Sequence, residues 1–287
     1  MLIDAPVHAV DPMPLMAGAA LLGLIVGSFL NVLIHRLPRM LEREWQAQCE
    51  ELAGREPAPQ PRYDLLAPRS HCPACRTPIR LPHLLPLVGW LIARGRCAAC
   101  GVAIPKRYPL IEALTALLFA LAALHFGLGW TLAAALLVTA VLIALTFIDF
   151  DTQLLPDQLT LPLMWAGLAA SLPTGRSEDA LIGAIAGYLS LWSVYWLFRL
   201  LTGKEGMGYG DFKLLAALGA WLGWQALVPI VLIASLAGAL VGLVLMARGN
   251  ARDTPIAFGP WLAIAGWLVM LWGEGLLPAF QRLLTGG

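Results

Sequence analysis

Thr131-Leu-Ala-Ala-Ala-Leu-Leu-Val-Thr-Ala-Val-Leu-Ile-Ala-Leu-Thr-Phe-Ile148 carries no charge, and it runs straight into Asp149-Phe-Asp-Thr-Gln-Leu-Leu-Pro-Asp157. A helix of about 20 apolar residues crosses the hydrocarbon core of a bilayer. The stretch therefore reads as a membrane span that ends on an ionisable side chain. Such a residue is costly at the lip of a span and usually has a use there. A second aspartate stands in the mirror position. Asp211 ends Gly206-Met-Gly-Tyr-Gly-Asp211 and opens the apolar run that begins at Phe212.

The same pattern recurs along the chain. Of 287 residues 59% are hydrophobic and 13% are charged, against about 25% charged in an average soluble domain. The apolar surplus falls in runs near 14–34, 109–126, 131–148, 159–172, 180–200, 212–222, 224–246 and 256–280. The expected fold is an all-α polytopic membrane protein of about eight transmembrane helices. The segment before Pro14 holds Asp4 and Asp11 and neither Lys nor Arg. It lacks the basic start of a cleavable signal, so the first run is expected to be a retained span.

Charge gives the orientation. Of the 19 Lys and Arg residues, 12 fall between Arg36 and Arg107. The positive-inside rule places that segment in the cytoplasm. Arg199, Lys204, Lys213, Arg248 and Arg252 fall on the same side if eight spans alternate, with both termini outside. Three parts are expected: residues 1–35 as an outer N-terminus and first span, 36–108 as a small cytoplasmic domain, and 109–287 as a seven-helix membrane domain. Pro57-Ala-Pro-Gln-Pro61 reads as a linker. A net charge of +1 offers nothing to nucleic acid. No strong internal repeat is visible. Gly23/Gly27, Gly183/Gly187 and Gly238/Gly242 are small-xxx-small pairs that allow close helix contact.

Four of the five cysteines form two knuckles, Cys72-Pro-Ala-Cys75 and Cys97-Ala-Ala-Cys100. Four thiolates at that spacing suit one tetrahedral Zn²⁺ in a closed, structural site. A cytoplasmic setting disfavours disulfides. His71 adjoins the first knuckle as a surface neighbour, and Cys49 lies outside the pattern.

Asp149 and Asp211 are the expected catalytic pair. Two neighbouring carboxyls in an apolar setting can share one proton and activate water. The competing reading is two solvated helix caps. Gly208 and Gly210, with Gly206, are expected to keep the approach to Asp211 open. Asp151 and Asp157 read as solvent-facing or capping. Lys213 reads as an interface anchor or as an electrostatic neighbour of the pair, and Glu112 as an interfacial carboxylate. Glu42, Glu44, Glu50, Glu51 and Glu56 form either a solvated face or an attractor for a basic peptide.

Gly208-Tyr-Gly-Asp211 matches the GxGD signature of membrane aspartic proteases. Gly27-Ser-Phe-Leu-Asn-Val-Leu-Ile-His-Arg-Leu-Pro38, both cysteine knuckles, Arg107-Tyr-Pro-Leu-Ile-Glu112, Ile148–Asp157 and Gly206–Lys213 together resemble the type IV prepilin peptidases, in order, from about residue 18 to 260. The resemblance implies cleavage of the basic leader of prepilins and of the pseudopilins of type II secretion, after a glycine, at the cytoplasmic face of the bacterial inner membrane. It also implies N-methylation of the new amino terminus with S-adenosylmethionine. It carries the two catalytic aspartates onto Asp149 and Asp211, and the four cysteines onto Cys72, Cys75, Cys97 and Cys100. Methyl-transfer residues do not carry over. There is no G-x-G-x-x-G after a strand, and Gly95 in Arg94-Gly-Arg96 is the one candidate. Rival readings are another GxGD protease without the cysteine loop, a membrane methyltransferase without protease activity, and a proton-coupled transporter. A transporter would place its aspartates at mid-membrane, commonly in repeated halves.

Overall fold

The computed structural model describes residues 11–56, 61–204, 206–247 and 257–285. Among them there is no β-strand, and nine α-helices account for most of the chain. Among the described residues, helix covers nearly all of each of the eight expected apolar runs, the last of them from Gly259. Five helices are long and apolar enough to cross a membrane: Pro12–Leu52, Arg107–Phe126, Trp130–Thr152, Ser177–Thr202 and Trp224–Ala247, the last including a 3-10 turn at Trp224–Ala226. The protein is thus an all-α, multi-pass membrane protein. Arg248, Arg252 and most of the expected linker 57–61 lie outside the described residues.

The chain divides into two compact units, residues 7–128 and 129–287 apart from the first six residues. The first unit is organised by α1, Pro12–Leu52. Asp11 caps it, its carboxylate accepting from the Met13 N–H at 3.0 Å, and Pro12 occupies the first helical position, where no N–H is needed. The sequence places the end of the first span at about Ile34, with a sharp exit at His35–Arg39. Instead the helix continues through Pro38 to Leu52. Its length is about 60 Å, twice a bilayer core. The continuation is held by tertiary packing. Leu37, Pro38 and Leu41 are buried, and so is Arg36. The Arg36 guanidinium donates to the carbonyls of Asp64 at 2.7 Å and Pro68 at 2.6 Å. Tyr63 stacks under Arg43 at 4.3 Å. The segment 61–68 thus holds the helix through Arg36 and Arg43, on either side of the proline.

Helix α3, Arg107–Phe126, packs along α1. A Cβ built on Gly23 would stand 2.7 Å from Ala116 Cα, and one on Gly27 would stand 2.8 Å from Glu112 Cα. Only glycine permits that approach. Between α1 and α3 lie the cysteine knuckles, a 3-10 turn at Leu81–Leu84, and the short helix α2, Val88–Ile92.

The second unit holds α4 (Trp130–Thr152), α5 (Asp157–Ser171), α6 (Ser177–Thr202), α7 (Tyr209–Leu222), α8 (Leu227–Ala247) and α9 (Gly259–Thr285). Helix α7 is central and packs against α5, α6 and α9. It has 14 residues, about 20 Å, and α5 has 15, so neither reaches across a bilayer core of about 30 Å. Gly183 and Gly219 bring α6 and α7 backbone to backbone, and a Cβ on Gly187 would lie 2.7 Å from the Leu215 carbonyl oxygen. Two indoles fasten the unit. Trp221 Nε1 donates to the Leu163 carbonyl at 2.8 Å, and Trp267 Nε1 to Thr139 Oγ1 at 3.0 Å.

Candidate active site and metal centre

Asp149 lies in the last turn of α4, and Asp211 in the first turn of α7. They are 5% and 7% exposed. A carboxylate at a helix amino terminus is favoured by the backbone dipole, whereas Asp149 at a carboxyl end is not. The chain compensates with a second amino terminus. The Gly259 N–H, at the start of α9, hydrogen-bonds to the Asp149 carboxylate. That approach requires glycine, because a Cβ at 259 would stand 2.6 Å from Asp149 Oδ2. The Gly208 backbone hydrogen-bonds to the Asp211 carboxylate. Oδ1 of Asp211 is buried and has no hydrogen-bond partner among the described residues.

Leu155 ties the two loops together. It follows the left-handed Gln153 that ends α4. A Cβ on Gly210 would meet Leu155 Cβ at 2.7 Å, and one on Gly259 would meet Leu155 Cδ1 at 2.9 Å. None of Gly206, Gly208 and Gly210 adopts positive φ. The glycine at 210 therefore makes room for Leu155, where the sequence suggests an open lane for a substrate backbone. On the other side, Tyr195 packs on Tyr209 and Phe212 at 5.4 and 5.7 Å between ring centroids. These rings grip the turn that bears Asp211. Lys213 turns away from the pair. Its ammonium donates to both carboxylate oxygens of Asp157, at 2.6 and 2.7 Å. Asp157, read from sequence as capping or solvent-facing, thus joins the starts of α5 and α7. Asp151 is exposed.

Sequence reasoning misses Gly259 and Leu155. The signal for the first is Phe258-Gly-Pro260 ahead of an apolar run, a helix start with no stated target. Leu155 looks like any apolar residue in a loop.

In the first unit the four sulfurs of Cys72, Cys75, Cys97 and Cys100 lie within 4.8 Å of one another. The Cys72–Cys100 and Cys75–Cys97 separations are 3.8 and 3.9 Å. Tetrahedral Zn–S bonds of about 2.3 Å require sulfurs about 3.8 Å apart, so the donor set fits zinc. The two knuckles are copies. Cys72 N–H donates to Thr77 O and Cys97 N–H to Val102 O, at 3.0 and 2.8 Å. Bridges pair His71 with Pro78 and Arg96 with Ala103. Arg76 and Gly101 take the same left-handed turn. This short repeat escapes the sequence because few side chains are shared. Hydrogen bonding with Thr77 draws the Cys75 thiol down to about 6, while burial and the neighbouring sulfurs push Cys100 up to about 12; the metal-free cluster thus mixes thiolate and thiol, and a metal would displace the remaining protons. Cys49 is exposed and apart from the cluster.

Gly95 has φ +67°, and a Cβ there would strike the Trp90 ring at 2.8 Å. Close packing against Trp90 of α2 accounts for this glycine, so it gives no support to a cofactor site. Glu112 is buried, its Oε2 accepting from the Leu87 N–H at 2.8 Å.

Residues 21–126 match the bacterial peptidase A24 N-terminal domain, and residues 136–243 match the type IV leader peptidase family. The prepilin leader peptidase/N-methyltransferase of Aeromonas salmonicida is 57% identical over 263 residues, covering 89% of this chain and 90% of its own. The chain belongs to the prepilin leader peptidase/N-methyltransferase family. Family members so named in Pseudomonas aeruginosa (54% identical, 96% of both chains) and Xanthomonas campestris (47%, 92% of this chain and 93% of its own) extend the likeness over nearly the whole length. No solved structure gives a significant match. The first family segment ends with α3 and the second begins inside α4, on either side of the division between the compact units.

Proposed function

We propose that this protein cleaves the leader from prepilins and from type II secretion pseudopilins, using Asp149 and Asp211 as the catalytic pair. The observation that supports this most is a pair of buried carboxyls on two different helix ends whose flanking glycines, Gly210 and Gly259, both close on Leu155, one carboxyl having an unpartnered oxygen. In the reaction, one carboxylate takes a proton from water as it attacks the scissile carbonyl. The other carboxyl donates its proton to the carbonyl oxygen. Collapse of the tetrahedral intermediate breaks the C–N bond, and the leaving amine takes the proton held by the first aspartate. Like charges at this range disfavour double ionisation, so the pair starts with one proton. Gly208, Gly210 and Lys213 support the site by shaping the loop and bracing α7.

Cys72, Cys75, Cys97 and Cys100 would hold zinc as a closed structural site, confining metal binding to residues 36–108 and hydrolysis to the helices after 109. The relatives' name adds N-methylation of the freed amino terminus, for which S-adenosylmethionine would supply the methyl group. No residue is assigned to that step. The basic segment 36–107 supports a cytoplasmic active face at the inner membrane. Incubating Asp149→Asn and Asp211→Asn variants with a prepilin tests the pair. Each should lower the cleavage rate by at least about a hundredfold, the scale of lost acid–base catalysis. Cleavage at the wild-type rate by either variant would end the assignment.

A further inference from the structure

Residues 81–92, Leu-Pro-His-Leu-Leu-Pro-Leu-Val-Gly-Trp-Leu-Ile, lie between the two knuckles and take no part in the thiol cluster or the carboxyl pair. They fold as the 3-10 turn, a γ-turn at Leu87 in which Val88 N–H donates to the Pro86 carbonyl at 2.6 Å, and α2. Six large apolar side chains face outward from this short insert. Leu81, Leu84, Leu85, Val88, Leu91 and Ile92 are 38–72% exposed. So dense an apolar patch marks an interaction surface.

Its position says what covers it. The Leu87 N–H bonds to Glu112, which sits one turn inside α3, a helix long and apolar enough to span. The insert therefore lies at the depth of that span's first turn, where headgroups meet acyl chains. Exposed Arg76, Arg80, Arg94 and Arg96 flank it, the charge that suits anionic headgroups. Trp90, whose Nε1 donates to the Ile104 carbonyl at 3.4 Å, is the residue type that settles at such a boundary.

We propose that residues 81–92 form an interfacial anchor, sinking their leucines among the acyl chains of an anionic phospholipid leaflet at the amino-terminal end of α3. The anchor holds the knuckles against the membrane surface. This inference stands apart from the peptidase reading, and its test does not use activity. The full chain is reconstituted in phosphatidylcholine–phosphatidylglycerol vesicles that carry a diazirine on the acyl chain near the glycerol. After irradiation, labelled peptides are mapped by mass. Leu110 and Leu117 of α3, both over half exposed, are the internal standard. Labelling of 81–92 should match that standard and exceed several-fold that of the exposed polar stretch Glu42–Glu51. A Leu85→Gln/Leu91→Gln variant should lose most of the insert label and keep the α3 label. Label on α3 with none on 81–92 would overturn the proposal. So would chain-to-chain crosslinks through the insert that replace the lipid label, because a second copy would then cover the patch.

Discussion

The segment 61–106 and helix α7 are opposite solutions to holding reactive groups in place. In the first, Cys72 is the one hydrophobic side chain fully buried. In the second, 11 of 14 residues are buried. The knuckles have no core of their own, so four sulfurs converge where apolar packing is missing, and a bound metal would stand in for it. Around Asp211, dense packing sets the backbone to within the width of a methyl group, and glycines sit where contact is closest. The lesson is that one site is shaped by converging ligand atoms and the other by the complementarity of helices.

Perturbations should therefore separate cleanly. The largest effect is expected from Cys72→Ser, or from chelation. A structural zinc is worth roughly 10–16 kcal/mol of folding free energy. Residues 61–106 should become accessible to limited proteolysis while the helices from α4 onward stay protected. Protection of both would show that the knuckles hold without metal. Next comes Phe212→Ala. Phe212 is fully buried among aromatic rings, and truncation should cost about 3–5 kcal/mol. It should be read as a lower unfolding midpoint with metal content unchanged. A coupled loss of metal would erase the contrast.

Gly259→Val should follow. The added carbon overlaps Asp149 Oδ2 and Leu155, so turnover should fall at least tenfold, with a drop in unfolding midpoint smaller than that of Phe212→Ala because overpacking costs about 1–3 kcal/mol. Wild-type turnover would remove Gly259 from the site. Lys213→Met is the smallest. Its pair with Asp157 is partly exposed, and such pairs contribute about 1 kcal/mol or less. Thermal unfolding should shift by only a few degrees, with cleavage largely retained.

The contrast also explains what could be read from the sequence. Apolar run length is a local property, and the described part of each expected run is almost wholly helical, with five helices long and apolar enough to span. Two C-x-x-C knuckles are local as well, and their sulfurs meet. Gly23, Gly27, Gly183 and Gly187 mark helix contacts through spacing alone. Long-range arrangements stayed hidden. Pro38 argues for a helix end by local rules, but the helix runs on through it with Leu37, Pro38 and Leu41 buried, while Arg36 is tied to residues 64 and 68. Gly259 touches Asp149 across 110 positions, and nothing near 259 names its target. Lys213 sits two residues from Asp211, yet its partner is Asp157, a choice made by how α5 and α7 start side by side.

The central claim is that Asp149 and Asp211 work as one unit. The direct measurement is a cleavage assay on purified Asp149→Asn, Asp211→Asn and the double variant, each shown to keep the wild-type unfolding midpoint. Groups that act as a unit are not additive, so each single variant and the double should show the same deep loss of turnover. Losses that multiply in the double variant, or a single variant that still cleaves at the wild-type rate, would contradict the account.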